Sequence, residues 1–152
     1  ARYDKKFVND FFWVFGFTEN YSKTVPNLMD SINKYSNRKC VFYSINYTPN
    51  FLFQTQLESD QFIFRRIDME PGKLDSRGRD SRIMNSKPVI LMDAIKSFPG
   101  KKFVHIDTDI YLTTNADDIV KYFDRLQNYP LANSHIHDVM YISNIKLVNK
   151  TS

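Results

Sequence analysis

Apolar residues come in short blocks whose spacing changes along the chain. Residues 11–18 (FFWVFGFT) are apolar nearly throughout, the pattern of a strand buried on both faces. In TVPNLMDSINKYS the spacing becomes helical: Val25, Leu28, Met29, Ile32 and Tyr35 fall on one stripe. Thr24 is placed to cap that helix, and Pro26 fits its first turn. Residues 39–46 (KCVFYSIN) and 61–67 (QFIFRRI) read as a second and a third strand. MEPGKLDSRGRDSR, rich in charge and broken by Pro and Gly, reads as a loop. A second helix is expected from near Pro88, with Leu91, Ala94, Ile95 and Phe98 on its apolar face, and Pro99-Gly100 ends it. Residues 103–106 (FVHI) make the fourth strand. Beyond it, Asn115 is expected to cap a third helix with Asp117 and Asp118 in its first turn, where the helix dipole favours acids. Val120, Phe123 and Leu126 would form that helix's inner face, and residues 137–143 read as a further strand.

Alternation of this kind predicts an α/β fold: a mainly parallel open sheet flanked by helices, in a single domain over residues 1–152. If strands two and three lie on one side of strand one, strand four lies on the other. A crevice then opens where the order reverses, beyond the carboxyl ends of strands one and four.

Composition narrows the picture modestly. At 42% hydrophobic and 25% charged residues the chain belongs with soluble globular proteins. No run approaches the roughly 18 apolar residues of a bilayer span. The most apolar segment, FVNDFFWVFGF, is interrupted by Asn9 and Asp10, so no transmembrane segment is expected. Without a recognisable targeting segment the default compartment is the cytoplasm. The lone Cys40 excludes an intrachain disulfide and fits a reducing compartment. The net charge of +4 reflects basic residues gathered in FRRIDMEPGKLDSRGRDSRIMNSK, but acids are interleaved throughout. That mixture reads as a solvated loop before it reads as a phosphate-facing patch. No aromatic RNA-binding signature is present, so nucleic acid is not an expected partner.

The chemistry concentrates in KKFVHIDTDIYL. A buried strand runs directly into Asp107-Thr108-Asp109. Two carboxylates that close repel, so they are either solvated turn residues or the grip on a cation. At alternate positions of an extended chain they point the same way, with Thr108 opposite. Hard oxygen donors suit Mg2+ or Mn2+, which keep water and add phosphate oxygens. A bound diphosphate would be repelled by bare aspartates; a divalent ion reverses that sign. The alternate histidines His135 and His137 lack a third ligand at matching spacing and read as structural or surface groups. His105 reads as a core residue.

The segment Asp107-Thr108-Asp109, preceded by an apolar strand and followed by a short apolar strand IYL, resembles the DxD region of GT-A fold, Rossmann-like nucleotide-sugar glycosyltransferases. FGFTENYSKTVPNLMDSINKYS is similar to the first strand and helix of such enzymes, and SKPVILMDAIKSFPGKKFVHIDTDIYLTTNADDIVKYF to the helix leading into the DxD strand. The resemblance implies a metal-dependent transfer of a sugar from a nucleotide-sugar donor to a glycan, lipid or protein acceptor. It further implies Mn2+ or Mg2+ held directly by Asp109, with Asp107 touching the metal through water or the donor ribose. Thr18 would approach the nucleotide, and Lys87 the diphosphate or ribose. Family members carry an acceptor-binding half after the DxD strand, whereas about forty residues follow it in this chain, so the expectation is the donor-binding portion of a longer enzyme. Two other readings stay open. A haloacid-dehalogenase-like phosphatase would carry the pair near its start with Thr or Val where Tyr111 stands. A non-catalytic nucleotide- or nucleic-acid-binding module would need no catalytic group.

Overall fold

A computed structural model of the chain describes residues 5–50, 60–81, 86–108, 110–122 and 139–142. Five strands appear among them: β1 (Phe11–Phe17), β2 (Cys40–Ile45), β3 (Phe62–Ile67), β4 (Lys102–Ile106) and β5 (Val139–Ile142). They form one sheet in the order β3-β2-β1-β4-β5, and every neighbouring pair is parallel. The fold class expected from the alternation of periods is therefore the one observed, including the reversal of order between β1 and β4.

Among the described residues two helices of eleven residues cover the sheet, α1 (Val25–Tyr35) and α2 (Lys87–Ser97). Right-handed crossovers decide which face each takes. The chain steps from β1 through α1 to β2 in one direction and from β3 through α2 to β4 in the other, so the helices lie on opposite faces. Alternation along β1 matches this. Phe11, Trp13, Phe15 and Phe17 pack with Val25, Leu28, Met29 and Ile32 of α1. Phe12 and Val14 pack with Ile90, Leu91 and Ala94 of α2. Central β1 is thus buried on both sides. Edge strand β3 exposes Arg65 and Arg66, charged positions of the kind that blunt a free edge. Gly16 faces α2 so closely that a Cβ there would meet Ile90 Cδ1 at 2.3 Å. Only glycine allows α2 that approach to β1.

Three local expectations are corrected. Thr24 does not cap α1: a 3-10 helix (Glu19–Thr24) leads into it, and the Thr24 hydroxyl donates to the Tyr21 carbonyl at 2.8 Å. Residues 110–112 form no strand. Ile110 and Leu112 are buried against the α1 side of the core, and the Leu112 N–H donates to Ser31 Oγ at 3.0 Å. The segment after Asn115 is a 3-10 helix (Ala116–Tyr122) with Ala116 and Ile119 buried. Asp117 and Asp118 stand in its first turn, as expected. The Asp117 carboxylate also accepts from Ser36 Oγ (2.6 Å), the Asn37 N–H (2.8 Å) and Arg38 (3.0 Å). The Val120 side chain, Phe123, Leu126, His135 and His137 lie outside what is described.

The basic stretch after β3 is a loop, as expected, closed by an antiparallel bridge between Leu74 and Asp80. Part of its charge is spent locally. Asp75 accepts from the Arg77 and Arg79 N–H groups and from the Arg79 side chain, while Asp80 accepts the Gly72 N–H. No helix among the described residues is long and apolar enough to cross a membrane.

Candidate functional site at the carboxyl edge of the sheet

Because all the strands run parallel, the residues that follow them share one edge of the sheet. The order reverses between β1 and β4, so neither crossover covers the edge between them. Three of the residues singled out in the sequence come to this edge. Thr18 directly follows β1; it is extended (φ −94°, ψ 170°), and its carbonyl accepts the Tyr21 N–H at 3.0 Å. Its side chain makes no cap hydrogen bond with the 3-10 helix that follows, although it sits at the N-cap. Asp107 directly follows β4 and is exposed, while Thr108 turns inward and is buried, as alternation requires. Among the described residues no ion pair holds Asp107. Lys87 is the first residue of α2 and half-buried. Asp109 lies outside the described residues.

Buried His105 stands two residues before Asp107 on β4. Its Nδ1 lies 3.0 Å from the Val14 carbonyl. A carbonyl can only accept, so Nδ1 carries the proton, and the bond fastens β4 to β1 one turn of the pleat below Asp107. Burial lowers the imidazole's pKa below the ordinary value. The Val14 bond works against that, the Lys87 ammonium adds to it, and the Asp107 carboxylate opposes it. A cation and a carboxylate therefore both act on one ring.

Other groups on this edge were not singled out by sequence reasoning. Tyr47, just past β2, sets its ring edge-on to Phe17 with centroids 5.9 Å apart. Burial raises its phenol above the ordinary value, against the Ser22 hydroxyl and with the Glu19 charge. Asn46 holds a left-handed backbone (φ 64°), which asparagine tolerates better than most residues. Its side chain accepts the Met69 N–H at 2.7 Å and its own N–H donates to Ile67, fixing the exits of β2 and β3 together. The signal for Asn46 was available, since Asn after an apolar strand is a common turn residue. Nothing local marks Tyr47.

The hard carboxylate oxygens of Asp107 would suit Mg2+ or Mn2+ better than a softer ion. Asp107 offers hard carboxylate oxygens to solvent, and among the described residues no three His, Cys, Asp or Glu side chains gather as a closed metal cage.

No family model matches the chain, and no curated protein matches it. Among solved structures it is similar to the glycosyltransferase GlyE of Streptococcus pneumoniae TIGR4, at 14% identity and a TM-score of 0.48 over 75% of this chain. It is also similar to residues 1–349 of S. aureus TarS, solved with UDP-GlcNAc, at 18% identity and a TM-score of 0.47 over 77% of this chain. The chain spans 27% of the first of those chains and 32% of the second.

Proposed function

We propose that this chain is the donor-binding portion of a metal-dependent, GT-A type glycosyltransferase. It would hold a nucleotide-sugar whose sugar passes to a glycan, lipid or protein acceptor. One observation carries the reading: an exposed Asp107 follows β4, and Thr18 follows the neighbouring β1, at the carboxyl edge where the strand order reverses. In open α/β sheets that is where ligands sit.

The roles follow from chemistry. Asp109 and Asp107 would hold Mn2+ or Mg2+, Asp109 directly and Asp107 through water or by way of the donor ribose. When bound, such an ion neutralises a diphosphate and takes up the charge that develops as the diphosphate departs. Lys87 adds a further positive charge toward the diphosphate or ribose, helped by its place in the first turn of α2, where backbone N–H groups favour anions. Thr18, extended at the end of β1, offers a hydroxyl and backbone groups to the nucleotide. His105 donates to Val14 and holds the β4 end against β1, so that Asp107 starts from a fixed point.

The test is thermal unfolding of the protein with uridine or guanosine diphosphate, with and without Mn2+. At about a hundred times Kd, a site-specific ligand stabilises by about 2.7 kcal/mol. The reading expects a rise in Tm that needs nucleotide and Mn2+ together and disappears in Asp107→Ala and Asp109→Ala. No rise with either diphosphate, or a rise with single-stranded nucleic acid alone, would overturn it.

A further inference from the structure

We infer that Ser31, on α1, is a positioning residue for the segment that carries Asp107. The inference rests on the donor-site reading above. Ser31 is fully buried in the middle of an amphipathic helix, on the stripe where the core asks for an apolar side chain. Its hydroxyl donates to the Leu28 carbonyl at 2.8 Å and accepts the Leu112 N–H at 3.0 Å. The first bond is the ordinary way a helical serine satisfies itself. The second reaches a residue 81 positions away. It replaces the strand pairing that residues 110–112 do not make, at a buried N–H that would otherwise be orphaned.

The consequence lies in where the tether falls. The chain is fixed at Ile106 by the β4 ladder, and again at Leu112, which is fully buried, by Ser31. Buried Ile110 and the Tyr111 hydroxyl, which donates to Asp30 at 3.1 Å, reinforce the second point from the core and from the surface. Asp107 therefore sits on a short span anchored at both ends. Support from behind a ligand is commonly as decisive for metal affinity as the ligand itself.

The measurement is Mn2+ binding to the full chain by electron paramagnetic resonance, with Mn2+ alone as the probe and every sample well below its melting temperature. Ser31→Ala should weaken Mn2+ by about tenfold. Ser31→Cys is nearly isosteric but a poor acceptor; it should weaken Mn2+ similarly and covers the case that the alanine variant does not fold. Ser31→Thr keeps the hydroxyl and should stay within about twofold of wild type. Ile32→Val, which loosens the same helix without touching the bond, should lower Tm and leave Mn2+ affinity unchanged. If Mn2+ binds and is lost in Asp107→Ala, yet Ser31→Ala and Ser31→Cys bind it as wild type does, the positioning role is wrong while the donor-site reading stands. If the wild type binds no Mn2+, or Asp107→Ala binds it equally well, both fall.

Discussion

At the amino edge of the sheet Arg38 donates to two carboxylates at once. It reaches Asp10 at 2.7 and 2.8 Å and Asp117 at 3.0 Å. Around it the Trp13 indole donates to Ser36 Oγ, Gln61 donates to the Ser36 and Arg38 carbonyls, and Lys5 donates to Gln61. At the carboxyl edge Asp107 stands exposed and outside any ion pair among the described residues, and Asn46 carries a left-handed backbone. The same sheet thus ends in saturated polar groups on one side and in unspent charge on the other. Satisfied networks hold a fold together; an exposed carboxylate outside them stays hydrated and available to a ligand. The contrast assigns holding the fold to the lower edge and meeting a ligand to the upper one.

The largest expected effect is at the saturated edge. Arg38→Met leaves Asp10 and Asp117 without their cation and should cost about 3 kcal/mol, read by urea denaturation at neutral pH. Mn2+-dependent nucleotide binding should survive it, and a variant that folds but loses that binding would erase the division between the edges. The Arg38 bond holds the Asp10 carboxyl below its ordinary pKa. A depressed carboxyl stabilises the fold above its unfolded pKa and loses that contribution as pH falls through the folded value. The gap between wild type and Arg38→Met should therefore be full at pH 6 and shrink below about pH 4.

Next is Gly16→Ala, which drives a methyl into Ile90 and should cost about 1–2 kcal/mol. Adding Ile90→Val removes the colliding Cδ1, so the double variant should be more stable than the sum of the two losses; strict additivity would show that α2 does not lie where described. The smallest effect on stability belongs to Asp107→Asn, within about 0.5 kcal/mol of wild type, since this exposed carboxylate makes no ion pair among the described residues. A large loss there would make Asp107 a structural residue and return it to the same class as Asp117.

Much of this arrangement was legible in advance. The strands are blocks of aromatic and β-branched residues too short for helices, and α1 has an unbroken stripe, so their ends fall within a residue or two of expectation. The acid pair stood out because carboxylates at the end of an apolar strand have few uses. What stayed hidden depended on partners far along the chain. Asp117 is the helix-start acid it looked like, but it also accepts from the turn before β2, about eighty residues away. IYL looked like a strand and is chain laid on α1, its N–H taken by Ser31. Tyr47 carries no local signal and reaches the upper edge only because β2 lies next to β1.

By itself the sequence determined which segments could be strands or helices, and that two carboxylates follow the fourth strand. Both are consequences of side-chain period and chemical type, which are local. The tertiary structure decided which edge is saturated and which is open. That outcome turns on Arg38 finding Asp10 and Asp117, and Ser31 finding Leu112, across spans no periodicity encodes. Such pairs form only once the crossovers have set each helix on its face of the sheet, because a buried polar group takes whatever partner the packing brings within reach.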